Sequence, residues 1–319
     1  MIEKFGGPEN LVIKDIPEPE PSPGHVVIQV KAFGINHAEM HMRKGEWAEA
    51  MPVSGIECVG IVKACPGNEF APGTKVGALM GGLGRTINGS YAEYTNPPVS
   101  NVVKIDSDLP WETLAALPES YATAWTCLFR NLEIKQGQTL LIRGATSSFG
   151  QAALKLAVNA GAQAIVTSRN QDRFAKLKEM GAARAELERP DLSDHLQLDS
   201  KVDAVLNLVG NSVLLDSLKL VRRGGRVCLA GFLGGLAPVP DFNPLLQMAS
   251  GVHLSFFGSF VFGEPEFPLS DVPLQSIAED VAQGKLSTNA SRVFRFEEIS
   301  EAHRVMESNR ANGKMVVVV

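Results

Sequence analysis

Short apolar runs separated by Gly/Pro turns fill the first third of the chain. His25 to Val30 is a compact apolar run preceded by the turn-forming stretch 17–24, and 59–62, 74–79 and 90–94 repeat the pattern. Runs of this length between turn residues predict strands. Helical periodicity is nearly absent here, so a β-rich, barrel-like domain is expected.

From about Thr113 the pattern changes to helix alternating with strand. Thr139 to Arg143 predicts a strand ending at Gly144. A helix over 148–160 follows, its small apolar face set by Ala152, Ala153, Leu156 and Ala157, and Gly161 ends it. A strand at 164–167, a helix at 171–180, a strand at 203–208, a helix near 213–221 and a strand at 226–230 continue the alternation. Continuously apolar strands between helices imply a parallel sheet covered on both faces. The expected fold class is therefore α/β: a Rossmann doubly wound parallel sheet over 119–259, inserted in a β-rich domain built from 1–118 and 260–319. Near the end, helices at 274–283 and 299–308 flank the run 293–296. The last run, 315–319, has no neighbour in sequence to pair with, so it is expected to return to the N-terminal domain.

Composition narrows the function. The 319 residues suit two domains, and 45% hydrophobic with 20% charged residues is ordinary for a globular enzyme. The net charge is −5, with Lys and Arg spread along the chain, so there is no basic stripe to neutralise phosphates of a nucleic acid. The first residues lack the apolar core of a signal peptide, and no run is long enough to span a bilayer, so the expected location is cytoplasmic with no membrane partner. Cys58, Cys65, Cys127 and Cys228 fit neither a zinc knuckle nor a C-x-x-C pair, and buried reduced thiols are expected.

Candidate chemistry begins at Gly144-Ala145-Thr146-Ser147-Ser148-Phe149-Gly150, which joins the first strand of the alternating region to its helix. A dinucleotide needs a loop whose backbone comes close to the pyrophosphate, with helix N–H groups aimed at the anion. Gly144 and Gly150 suit that approach, and Ser147 stands where a glycine is usual. The next strand runs into Ser168-Arg169-Asn170-Gln171-Asp172-Arg173. The carboxylate that would hold ribose hydroxyls is missing at the strand tip, and Arg169 with Arg173 stand there instead. Guanidinium and hydroxyl donors suit a 2′-phosphate, so NADPH is expected over NADH.

Further motifs carry a resemblance. Asn36-His37-Ala38-Glu39 through Arg43-Lys44-Gly45 looks like the Asn-x-x-Asp-x-x-x-Arg-x-Gly segment of quinone oxidoreductases. Gly55-Ile56-Glu57-Cys58-Val59-Gly60, Gly73-Thr74-Lys75-Val76, Ala115-Ala116-Leu117-Pro118, Thr123-Ala124-Trp125, Leu208-Val209-Gly210, Gly224-Gly225-Arg226 and Gly313-Lys314 match in order. Over nearly its whole length the chain resembles the medium-chain dehydrogenase/reductase superfamily, in its quinone oxidoreductase-like branch. The resemblance implies that the β-rich domain is GroES-like. It also implies cofactor contacts at Asn36, Thr123, Gly144, Ala145, Ser147, Ser148, Phe149, Gly150, Ser168, Arg169, Arg173, Val209, Gly210, Gly231, Phe232, Gly258 and Lys314.

Zinc-dependent relatives carry Cys, His and Cys where this chain aligns Asn36, Ile56 and Glu119, and the closely spaced cysteines of their structural zinc are absent. Isoleucine cannot ligate, so no metal is expected. Without a Lewis acid, hydride acceptors that delocalise the resulting charge are favoured: a quinone gives a phenolate and an enone gives an enolate. His41 falls where many relatives carry a tyrosine facing the nicotinamide; a proton donor and a polar wall residue are both open for it. Tyr121 is the second catalytic candidate. Glu39 and Arg43 are spaced for a helical ion pair, and Trp47, Met51 and Phe262 are candidates for the substrate side. The expectation is a zinc-independent NADPH-dependent oxidoreductase acting on quinones or α,β-unsaturated carbonyls. A trans-acting enoyl reductase and a nucleotide-binding sensor with vestigial activity stand as rivals. A homodimer is expected through the apolar edge at 253–257.

Overall fold

Two separate sheets organise the computed structural model, which describes residues 1–288, 290–308 and 310–319. The chain divides into one unit made of 1–122 and 259–319 and a second made of 123–258. The first unit contributes β1 (Val27–Ile35), β2 (Glu57–Ala64), β3 (Lys75–Leu79), β4 (Tyr94–Thr95) and β5 (Val102–Lys104). The insert contributes β6 (Thr139–Arg143), β7 (Gln163–Ser168), β8 (Arg184–Leu187), β9 (Val202–Asn207), β10 (Val221–Leu229) and β11 (His253–Phe256). β12 (Arg292–Arg295) and β13 (Met315–Val318) belong to the first unit again.

Among the described residues the first unit's sheet runs β12-β13-β1-β2-β3-β5, with β4 also on β1. The terminal strand does return: β13 pairs antiparallel with β1, Phe33 facing Val317, and parallel with β12. A Met-Val-Val-Val strand needs neighbours on both edges and cover on both faces, and its first three residues are buried. Residues 90–94, expected as a strand, pair only at Tyr94. Upstream, the Ser90 and Tyr91 amides donate to the carbonyls of Gly55 (3.1 Å) and Ser54 (2.9 Å), and the Tyr91 ring stacks on Phe33 at 4.5 Å. Side-chain packing therefore overrides the alternating pattern there.

The β-rich third also holds a helix, His37–Lys44. Asn36 caps it, the Glu39 carboxylate accepts from the Asn36 amide at 2.8 Å, and Gly45 ends it in the left-handed conformation. Glu39 and Arg43 do not pair with each other. Glu39 also accepts from the Ile56 amide at 3.1 Å, while buried Arg43 pairs with Glu307 and donates to the Gly6 carbonyl. Both side chains have better partners off the helix than along it.

Arg43 Nε donates to His303 Nδ1 at 3.4 Å, which leaves the hydrogen on Nε2, 3.1 Å from the Tyr91 hydroxyl. Burial first, then Arg43, pushes His303 down to about 3. The unfolded chain therefore takes up a proton below about 6.5 that the folded chain refuses, so stability falls as pH drops from 6.5 toward 3. This is expected to cost about 2 kcal/mol between pH 6.5 and 5. Urea unfolding at several pH values should show a shallower acid decline for His303→Gln than for wild type; equal slopes would contradict the assignment.

In the insert the sheet order is β11-β10-β9-β6-β7-β8, and every pairing is parallel. Read from the far edge this is 3-2-1-4-5-6, the doubly wound order whose switch point lies between β6 and β9. Buried Leu141, Val205 and Val227 run through the sheet's core with Leu214 and Leu218 from the helix Leu214–Leu220 packed on it. The division between units falls inside the helix Pro118–Trp125. All four cysteines are free and buried. Among the described residues, no helix is long and apolar enough to cross a membrane.

Candidate functional site

Loops leaving β6, β9 and β10 meet at the switch point of the insert. Gly144 follows β6 with φ +86°, and a Cβ there would stand 3.0 Å from Leu233 and 3.5 Å from Leu208. Ser147 caps the helix Ser148–Asn159: its hydroxyl accepts from the Gly150 amide at 3.0 Å and donates to the Gly144 carbonyl at 3.1 Å. A Cβ on Gly150 would meet Ala145 Cα at 2.6 Å and the Gly144 carbonyl at 2.7 Å, so only glycine lets the helix sit this close to the loop. Ser148 and Phe149 are half-buried in the first turn, and Ala145 is buried beneath them. After β9, the buried Asn207 amide accepts from Val209 N (3.0 Å) and Gly210 N (2.9 Å). Gly210 has φ +113°, and Gly231 packs against the Leu208 backbone, with Phe232 following it. Asn207 was not singled out from sequence, although a polar residue closing an apolar strand is a visible signal.

A buried ion network supports this loop from below. Fully buried Arg143 donates to Asp216 (2.6 Å), Glu188 (2.5 Å), Ser217 (3.2 Å) and the Arg189 carbonyl (2.7 Å). Glu188 accepts from the Thr167 hydroxyl, which in turn accepts from the Gly144 amide at 3.0 Å. The turn that opens the cradle is thus tied through β7 and β8 to Arg143.

At the tip of β7, Ser168 Oγ closes a tight turn with Asn170 N at 3.1 Å, and Asn170 Oδ1 accepts from Asp172 N. Arg169 is exposed and Arg173 half-exposed. Neither guanidinium has a protein partner among the described residues, whereas the neighbouring Glu186 and Glu188 are held by Arg184 and Arg143. The β7 tip therefore presents unsatisfied cationic donors. Thr123 and Gly258 are the first and last residues of the insert.

The first unit holds a compact polar cluster. Lys314 turns inward rather than toward solvent: its ammonium bonds Asn36 Oδ1 at 2.6 Å and pairs with fully buried Glu57. A Cβ on Gly34 would collide with both Lys314 and Glu57, so that glycine makes room for the pair. Asn36 Nδ2 donates to Glu57 at 2.9 Å and Glu39 at 3.3 Å, and Glu57 also accepts from Glu119 N at 2.8 Å. Burial, opposed mainly by Lys314, pushes Glu39 up to about 7.

His41 Nδ1 bonds the Glu46 carboxylate, and the ring stacks on Trp47 at 5.6 Å. A carboxylate only accepts, so Nε2 is the ring nitrogen left for other partners. Tyr121 is buried and its hydroxyl lacks a well-formed hydrogen bond; burial, opposed by Thr288, pushes the phenol up to about 12. Phe262 is buried, and its main-chain carbonyl accepts from Asn101 at 2.6 Å. Met51 is half-buried.

Residues 22–107 match the family model of the alcohol dehydrogenase GroES-like domain, and 160–317 match that of zinc-binding dehydrogenase. The chain belongs to the medium-chain dehydrogenase/reductase superfamily, in its quinone oxidoreductase-like branch. It is 28% identical to the quinone oxidoreductase of Pongo abelii and 27% identical to that of Homo sapiens, each over 100% of this chain and 96% of the relative. A solved structure described as an NAD-dependent alcohol dehydrogenase is 28% identical, with TM-score 0.84 over 100% of this chain and 98% of the other. The quinone oxidoreductase of Pseudomonas syringae pv. tomato is 25% identical, with TM-score 0.85 over the same shares. The family's fold is the one observed: a GroES-like unit and a Rossmann sheet. Binding of a nicotinamide dinucleotide belongs to this family.

The residues at this family's zinc-ligand positions do not fit a dication. Ile56 is buried and offers no donor, Asn36 Oδ1 already faces an ammonium, and the Glu119 carboxylate accepts from Ser259 at 2.9 Å. A cation 2.6 Å from one intended ligand opposes a second cation there.

Proposed function

We propose that this oxidoreductase is a zinc-independent, NADPH-dependent reductase of quinones or α,β-unsaturated carbonyls. The observation that supports the reading most is a close glycine-cornered turn at the switch point, 144–150, in a chain whose family zinc position holds isoleucine and an ammonium-bound amide. The loop 144–150 would hold the pyrophosphate, the Val209-Gly210 and Gly231-Phe232 turns would border the dinucleotide, and Ser168, Arg169 and Arg173 would take the 2′-phosphate. Thr123, Gly258 and Asn36 complete the proposed contacts, with Lys314 acting through Asn36. NADPH supplies the hydride.

The chain's own residues then have to bind, orient and protonate. A delocalised phenolate or enolate needs no Lewis acid, only donors and positioning. The Tyr121 phenol, held near 12, stays protonated at neutral pH and can donate a hydrogen bond without acting as a base. As an imidazolium, with Nδ1–H donated to Glu46, His41 would have a proton to release from Nε2, so it is the candidate for proton delivery. His41→Phe should lower kcat for an enone, whose carbon must be protonated, more than for a quinone.

A substrate panel tests the reading. Turnover of simple quinones and enals with NADPH, unchanged after prolonged chelation, is expected. One tightly held zinc per chain, with activity lost on its removal, would overturn it. Preference for enoyl thioesters would favour the enoyl reductase, and nucleotide binding without turnover would favour the sensor.

A homodimer is part of this proposal. β11 is an edge strand, and Leu245 (87%), Leu246 (79%) and Phe256 (55%) of the same unit are exposed. An apolar edge of this kind needs cover. Sedimentation velocity at micromolar concentration should give a dimer; a monomer would contradict it.

A further inference from the structure

A cavity of about 330 Å³ lies within the first unit, between the segment 16–25, Val53 and the loop 87–96. That volume suits a compact organic molecule. None of the residues proposed above for cofactor or substrate lines it. Asn96, in its wall, follows Thr95, which pairs with Ile28 near the start of β1, whereas Asn36 follows the last residue of β1. One side of the cavity is an extended strap, 16–22. It is tied down where Glu18 pairs with Lys63 at 2.5 Å and where the Glu20 carbonyl accepts from Asn96 Nδ2 at 3.2 Å.

Asn96 sets the chemistry. A carbonyl only accepts, so Glu20 fixes the amide with its NH2 toward the strap, and the same NH2 donates to Ser22 Oγ at 3.4 Å. Oδ1 is the end left over, and it is buried with no donor among the described residues. Leaving a buried acceptor unpaired costs about 1–3 kcal/mol, which a ligand N–H would recover. His25 supplies another acceptor: its Nδ1 donates to the Pro23 carbonyl at 3.2 Å, so the neutral ring keeps a lone pair on Nε2. Ile16, Pro19, Val53, Ile87 and the Tyr94 ring give the wall its apolar part. No lining residue is an acid, a lysine or an arginine, so an ion would find nothing to offset its desolvation.

We propose that this cavity is a separate ligand site for a small, uncharged, flat molecule, whose N–H donates to Asn96 Oδ1 while its ring lies against the apolar wall. The site is independent of the reductase reading and stands or falls without it.

Indole carries one N–H on a flat uncharged ring, and benzofuran has the same shape without the donor. Calorimetric titration of wild type should show indole bound about three- to tenfold more tightly than benzofuran, as expected for one neutral hydrogen bond. Asn96→Leu should bind the two alike. Ala92→Phe, which adds a ring at a half-buried position of the wall, should bind neither. Thermal melting checks that both variants fold, and the wild-type comparison needs neither of them. Failure of wild type to bind indole at millimolar concentration would mean that water alone fills the cavity, and it overturns the proposal. Equal affinity for indole and benzofuran in wild type, an indole preference that survives in Asn96→Leu, or unchanged indole binding in folded Ala92→Phe overturns it as well.

Discussion

Replacing Arg143 with methionine is expected to destabilise the dinucleotide-binding unit by about 3–5 kcal/mol, because it leaves two buried carboxylates without their cation. Glu188 and Asp216 have side-chain exposures of only 6% and 7%, and both depend on the one guanidinium. Against a typical stability of about 5–15 kcal/mol, such a loss is a large fraction of the whole. Adding Glu188→Gln and Asp216→Asn to Arg143→Met should recover much of it, since the cost lies in unpaired charge rather than in lost volume. Denaturant titration of the single and triple variants separates the two causes. A single-variant loss below about 1 kcal/mol, the size of an ordinary surface pair, would show that the network is not what holds this end of the sheet. Because Glu188 also holds Thr167, and Thr167 holds the Gly144 amide, dinucleotide affinity should fall in the single variant as well.

The second large effect concerns cofactor choice. Arg169→Ala should weaken NADPH binding far more than NADH binding, by roughly 1.5–3 kcal/mol or about ten- to a hundredfold. A guanidinium on a phosphate dianion makes charge-assisted bonds that a ribose hydroxyl cannot reproduce. Arg169 is exposed, with no competing carboxylate against it among the described residues, so its donors are available to a ligand. Added salt should shrink the wild-type preference, because the contact lies near the surface. Arg173→Ala should act in the same direction and less strongly, being half-exposed and further along the turn. Equal losses for both cofactors would mean that Arg169 supports the fold alone.

Periodicity made the insert legible because its strands are buried on both faces: Leu140-Leu141-Ile142 and Ala204-Val205-Leu206 are apolar without interruption. β8 escaped notice for the opposite reason. It is an edge strand, half-buried throughout, and Arg184 and Glu186 interrupt it to pair with each other. The cradle could be read because its residues are contiguous and its glycines have a backbone reason to be there. The polar cluster could not. Glu57 and Lys314 lie 257 positions apart and Arg43 and Glu307 264 apart, brought together as β13 returns to β1 and the last helix packs on the first residues. Spacing along a helix suggested Glu39 with Arg43, whereas tertiary partners outcompeted that local pair.

The proposed reaction is hydride transfer from NADPH to a conjugated acceptor without metal. The direct measurement is the initial rate of NADPH oxidation by a simple quinone, on chelated, metal-analysed protein, with NADH run in parallel. Sustained turnover is expected with less than one zinc per chain, faster at low concentration with NADPH than with NADH. No turnover of any quinone or enone by zinc-free protein, with activity appearing only when zinc is restored, would contradict it.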